Sequence, residues 1–225
     1  MSPESITPDS DKLIAGQHQH WETTLQANPQ MYGTEPSEAG RYAVSRFTAD
    51  NLSQVLELGA GQGRDTFGLL SAGFEVTALD YTFGTLADIL DRATDTSLAE
   101  HLTTLTHDVR HPLPFADASF DACYSHMLFC MALKSDQLAA LAGEVHRVLR
   151  PGGLCIYTVR HVGDAHYGTG LDLGDNLYEN GGFVVHFFNR LLVDRLAEGF
   201  ELEDITAFEE GGLPRRLWRI SMYRP

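Results

Sequence analysis

At 225 residues the chain has the length of one domain with a central sheet and a helical layer on each face, which excludes a peptide-sized scaffold. Its 43% hydrophobic and 21% charged residues are ordinary globular values, and 16 basic against 31 acidic residues give a net charge of -15, so the average surface repels nucleic acid and anionic membranes. Disorder is expected only over residues 1–12, which are polar and carry two prolines. No apolar run approaches the roughly 20 residues that span a bilayer, and the polar start lacks the order of a signal peptide, so the expected compartment is the cytoplasm. Cys123, Cys130 and Cys155 are an odd number without CxxC spacing, which speaks for reduced thiols rather than disulfides or a cysteine zinc site.

In chain order, short β-rich runs alternate with helix-length segments, the pattern of a parallel sheet covered on both faces. Helical material is expected over Asp11–Leu25 and from Pro36 to about Phe47, followed by a strand at Gln54–Leu58. A helix from Gly63 to Ser71, a strand at Glu75–Asp80, a helix around Thr85–Arg92 and a strand at Leu102–Thr106 come next. Phe120–Ser125 reads as the fourth strand. Ser135 then opens a helix with Leu138, Leu141, Val145, Val148 and Leu149 at helical spacing, and Pro151-Gly152-Gly153 is expected to end it. Leu154–Val159 is the fifth strand; after a glycine-rich insertion over 160–190 come a helix near Asn189–Glu198 and strands at Glu201–Phe208 and Leu217–Tyr223. The last connection is too short for a crossover helix, so these two strands form an antiparallel edge pair.

The chemistry begins at Glu57-Leu-Gly59-Ala-Gly61-Gln-Gly63, between a buried strand and a helix. Glycines there allow a tight turn and close approach of a ligand to the backbone, beyond the carboxyl ends of the strands. A dinucleotide fingerprint requires a third glycine where Arg64 stands, which weakens a nicotinamide-dependent oxidoreductase as an alternative. Asp80, 17 residues beyond Gly63 at the end of the next strand, is placed to accept from both hydroxyls of a free ribose.

These residues resemble the class I S-adenosylmethionine-dependent methyltransferases, whose E/D-x-G-x-G-x-G stretch matches Glu57 to Gly63. The likeness extends over His107-Asp108-Val109, Leu113 to Asp121 and Val148-Leu-Arg-Pro-Gly-Gly153, about Ser53 to Val159 in all. Arg64-Asp65-Thr66, the short N-terminal segment and the closing strands look most like the small-molecule enzymes of the tellurite-resistance and thiopurine type. The resemblance implies a Rossmann-like, doubly wound α/β fold with a mostly parallel seven-stranded sheet and S-adenosyl-L-methionine as cofactor. It implies that Glu57, Gly59, Gly61 and Gly63 shape the methionine end, that Asp80 meets the ribose and Asp108 with Val109 the adenine, and that Tyr81 is a further cofactor-binding residue. Residues 13–225 form the single domain, 13–50 a helical lid over the pocket and 160–190 the acceptor-binding insertion.

Four side chains are the catalytic candidates. His126 follows the fourth strand at the rim, where it either lines the methyl-donor pocket or packs, as do Tyr124 and Ser125. In Arg160-His161-Val-Gly-Asp164-Ala-His166, directly after the fifth strand, Arg160, His161 and His166 form a positive cluster that orients an anionic acceptor, or a solvated glycine-rich loop; the spacing matches no zinc pattern, and no metal is expected. Trp21 and Tyr32 are candidates for an aromatic wall against a sulfonium or for plain helix packing. His186, in an apolar run, reads as core, and His18 and His20 as a solvated helix face. Arg215, Arg216 and Arg219 are expected to be solvated or paired with Glu209 and Glu210. The function expected is in-line methyl transfer to a small acceptor, a soft or anionic heteroatom, without nucleic-acid or membrane partners; oligomeric state is not legible. The alternatives are methylation of protein or RNA and a non-catalytic cofactor-binding module.

Overall fold

The computed structural model describes residues 10–211 and 215–225, so most of the expected tail, 1–9, lies outside the described residues. Residues 10–12 open helix α1 (Ser10–Ala27), which is followed by α2 (Glu38–Ala49). The alternating units are β1 (Gln54–Leu58), α3 (Arg64–Ser71), β2 (Glu75–Asp80), α4 (Phe83–Asp95), β3 (Leu102–Thr106), β4 (Phe120–His126), α5 (Ser135–Val148) and β5 (Leu149–Arg160). Three short strands, β6 (Leu171–Asp172), β7 (Leu177–Asn180) and β8 (Phe183–His186), precede α6 (Arg190–Leu196), β9 (Glu201–Glu210) and β10 (Arg215–Tyr223).

The main sheet has seven strands in the order β3-β2-β1-β4-β5-β10-β9. β1 to β5 run parallel, whereas β10 is antiparallel to both β5 and β9. The chain winds outward from β1 to β3 and then returns to place β4 on the other side of β1. A crevice therefore opens at the carboxyl ends of β1 and β4, where such sheets bind ligands. Because β10 is reversed, its first residue, Arg215, reaches that same edge opposite Glu210 at the end of β9.

Alternation along the strands divides the core. Val55, Ala122, Tyr124, Leu154 and Ile156 meet α2, α3 and α4 on one face. Leu56, Cys123, Cys155 and Tyr157 meet α5 and α6 on the other. The α2 end is tied down locally: Ser37 caps the helix by accepting from the Gly40 amide at 2.8 Å, while its own amide and hydroxyl donate to Asp65 of α3. The Tyr124 hydroxyl donates to the same carboxylate at 2.8 Å, which joins β4 to both helices.

Two expectations need correction. Pro151-Gly152-Gly153 does not separate α5 from the fifth strand; Leu149 already pairs with Phe120, and the tripeptide is a register shift inside β5. The Gly152 amide and Gly153 carbonyl bond Arg224, so the bulge satisfies its backbone against the chain's last strand. The insertion is likewise no plain glycine loop. β6, β7 and β8 make a three-stranded antiparallel sheet, turned at Gly181 and Gly182, whose φ values of 62° and 93° suit a two-residue hairpin. It packs under α1, where Gln17 donates to the Gly182 carbonyl and accepts from the Val184 amide.

Candidate active site

The glycine turn is shaped from both sides. Gly59, Gly61 and Gly63 all have positive φ; a Cβ on Gly59 would stand 2.8 Å from Leu128, and one on Gly63 2.7 Å from Ile89. At Gly61 the added carbon would meet nothing within 4 Å, so its open side faces a cavity rather than protein. The Gly61 amide donates to Asp80 at 2.9 Å, which brings the ends of β1 and β2 together. The cavity so formed is lined by Glu57, Gly59, Gly61, Asp80, Tyr81 and Val109, with Trp21 and Tyr32 from the N-terminal segment.

Its carboxylates are electrostatically unusual. Glu57 is buried beneath the turn and accepts from the Thr66 hydroxyl at 2.6 Å; burial pushes its carboxyl up to about 8, with Asp65 and Asp80 adding to the rise. Burial also raises Asp80, against the Thr82 and Gly61 hydrogen bonds. Asp108 behaves oppositely. Burial works to raise it, but the Arg110 guanidinium and amide outweigh burial and hold it below its ordinary value. Tyr81 is raised by burial and by Asp80, and its ring tilts against His18 at 4.8 Å. A set of buried acceptors around an open glycine cradle fits a ligand rich in hydroxyl and ammonium donors, as S-adenosylmethionine is.

Gln62, inside the glycine run, was not legible as a site residue. Its amide donates to the carbonyls of Leu25 and Asn28, the last turn of α1, and accepts from the Met31 amide. The turn that would receive the cofactor thereby also holds the end of α1.

At the rim, His126 joins a polar cluster. Its Nδ1 is 2.9 Å from the Thr158 hydroxyl, and its Nε2 is 3.0 Å from Arg64 and 2.9 Å from Glu210, the latter off the line of a good hydrogen bond. Arg64 donates to the other Glu210 oxygen at 2.6 Å and to the Tyr32 carbonyl. Burial alone would raise Glu210, yet His126 and Arg64 hold it down at about 2. Both ring nitrogens of His126 are thus engaged by protein, which makes it a positioning residue rather than a free base.

A second cavity adjoins the first and shares Trp21, Tyr32, Met127, Met131 and Arg215 with it. Arg160 and His166 line it; Arg160 is buried in a forked pair with Asp164, at 2.5 and 3.1 Å, and lies over Phe187. His161 is a correction. It lines neither cavity; its ring stacks on Trp218 at 4.5 Å, and its Nδ1 accepts from the Gly163 amide, because the chain turns at Gly163.

The arginine trio is corrected in the same way. Arg216 does pair with Glu209, but Arg219 is buried against the Tyr42 ring at 3.4 Å, and Glu210 belongs to Arg64 and His126. Only Arg215 points to the cavities. His186 is buried and bonds the Leu133 carbonyl; His18 is exposed, as expected, and reaches the Tyr81 carbonyl, whereas His20 packs on Phe183. Among the described residues no group of three or more His, Cys, Asp or Glu side chains is placed to hold a metal.

Residues 55–153 match the family model described as a methyltransferase domain. Over those residues the chain carries a methyltransferase domain. The malonyl-[acyl-carrier protein] O-methyltransferase of Pectobacterium atrosepticum is 32% identical over 119 residues, 53% of this chain and 43% of that protein. The chain thus spans less than half the length of such curated relatives. Among solved structures, the 1,6-didemethyltoxoflavin-N1-methyltransferase of Burkholderia thailandensis superposes with a TM-score of 0.74 at 18% identity, covering 100% of this chain and 92% of its own. TehB of Haemophilus influenzae gives 0.64 at 15%, over 82% and 62%. These two likenesses concern the fold alone.

Proposed function

We propose that the protein is a cytoplasmic methyltransferase that moves the methyl group of S-adenosylmethionine to a small acceptor through a soft or anionic heteroatom. The observation that carries this is the second, aromatic-walled cavity with Arg160 and Arg215, continuous with the glycine-turn cavity of the methyltransferase domain. The relatives named above act at different atoms, oxygen in one and nitrogen in another, so the acceptor is read from this chain's own second cavity. No described helix is long and apolar enough to cross a membrane.

The bound sulfonium supplies an activated methyl group, so the chain's task is chiefly positioning. Glu57 and Asp80 accept hydrogen bonds from the cofactor's polar ends, the glycine turn gives its backbone to the methionine end, and Val109 packs the adenine. Trp21 and Tyr32 close the junction and exclude water beneath α1. Arg64 and Glu210 fix His126 at the rim.

The test is transfer of labelled methyl from S-adenosylmethionine by purified protein into a cell extract, with products separated by size. Label in small molecules is the expected result. Label in protein or RNA would overturn the small-acceptor reading, and tight cofactor binding without any turnover would favour a non-catalytic module.

A further inference from the structure

We infer that the acceptor is a small carboxylic acid with a flat, aromatic or unsaturated body, and that its carboxylate, held by Arg215 where the two cavities meet, is the group that receives the methyl. This rests on the methyl-transfer reading above and specifies its substrate class.

The first ground is charge. Four guanidinium groups line the joined cavities, and three are already matched, Arg64 by Glu210, Arg110 by Asp108 and Arg160 by Asp164. Asp164 is fully used, since it also accepts from the amides of His166 and Arg216. Arg215 has no carboxylate partner among the described residues, and Glu210, directly across the β9–β10 ladder, is committed elsewhere. An uncompensated guanidinium in a partly enclosed site calls for a planar anion, which a carboxylate matches with two parallel hydrogen bonds. In a chain of net charge -15, a guanidinium without a carboxylate partner at the junction is a specific feature of the site.

The second ground is position and the lack, among the described residues that line both cavities, of a group placed as a base. Arg215 lines both cavities, so an anion on it sits at the junction where a methyl group passes from one to the other. A neutral amine, hydroxyl or thiol acceptor leaves a proton to be removed there. His126 has both nitrogens occupied, His166 lines only the second cavity, and burial raises the Tyr32 phenol. A carboxylate needs no base. One of its oxygens forms the O–C bond as the C–S bond breaks with its electron pair remaining on sulfur, and no proton is released. The products, an ester and a thioether, are neutral, so the charge that captured the acid no longer retains the ester.

The third ground is the wall. Trp21, Tyr178, Phe183 and Phe187 surround the second cavity, which suits a flat apolar body behind the carboxylate.

The test uses 3-phenylpropionate, cinnamate and indole-3-propionate, each beside its amide, with 3-phenylpropylamine and 3-phenylpropanethiol as alternative nucleophiles. Binding is measured in the presence of S-adenosylhomocysteine, and transfer with labelled S-adenosylmethionine. The expected result is that acids bind at least about tenfold tighter than their amides, and that R215Q erases this preference while R215K keeps part of it. Label should enter the acids and leave as methanol in mild base. The affinity of R215Q for S-adenosylhomocysteine, expected to stay within about twofold, shows that the variant is folded. Equal binding of acids and amides by the unaltered protein, a preference that survives R215Q, or label that enters amine or thiol and resists base would each overturn the inference. Failure of the unaltered protein to bind S-adenosylhomocysteine would instead remove the reading beneath it.

Discussion

Glu57 and Asp80 are buried carboxylates on neighbouring strands, and each leads to a separate prediction. Glu57 has its folded-state value raised to about 8 from an ordinary 4.5, so it favours folding in its protonated form. Its stabilising contribution is whole below about pH 4.5 and is lost as pH rises through about 8. The ligand-free protein should therefore lose thermal stability across that window, and Glu57→Gln, which keeps an acceptor for Thr66, should flatten the decline. Unfolding midpoints of both proteins between about pH 5 and 9 check this. Asp80→Ala should weaken S-adenosylhomocysteine binding by about 1–3 kcal/mol, because it removes a ribose acceptor and frees the Gly61 amide it holds. Calorimetry that finds unchanged affinity would sink the ribose assignment.

Among the elements, α1 and the small sheet form the layer above the junction, and α1 is held at its end by Gln62. Gln62→Ala should speed amide hydrogen exchange in the last turn of α1 and at Met31 while leaving β1 to β5 protected, since only contacts to the end of α1 and the turn after it are lost. A different element contact limits Gly68 of α3, where a Cβ would stand 2.8 Å from the Pro36 ring. Gly68→Ala should cost about 1–3 kcal/mol in denaturant unfolding through overpacking, although alanine favours a helix in isolation. The order of these elements was legible because hydrophobic period and turn residues mark them locally, and the glycine run marked the cofactor turn. The β6–β8 sheet was hidden even though Asn180-Gly181-Gly182 is a hairpin signal, because its strands are only two to four residues long and bury their apolar side against α1 rather than the main core. The β5 bulge was hidden because Pro-Gly-Gly carries the same signal for a turn and for a register shift. Arg215 and Arg64 were hidden for a third reason: their roles are set by charges far away in sequence, and no local pattern separates a solvated arginine from one left without a partner.

At the scale of the molecule, a net charge of -15 surrounds a junction that carries the Arg215 guanidinium. Long-range attraction favours the cationic cofactor and opposes an anionic acceptor until it reaches Arg215. The two association rates should consequently respond to salt with opposite signs, the cofactor's falling and a carboxylate's rising by several-fold between about 10 and 150 mM, as the Debye length shortens from about 30 to about 8 Å. Stopped-flow traces of Trp21 emission would show it, and a common sign for both would contradict the charge layout. The reversed strand β10 has a last consequence. It alone enters the rim by its first residue, so acceptor contacts come from β10 and the insertion, whereas the glycine turn and the acidic strand ends belong to β1–β3. Evolution, or a directed library, can rewrite residues 160–188 and 215–216 around the second cavity while the glycine turn and the acidic strand ends are inherited intact.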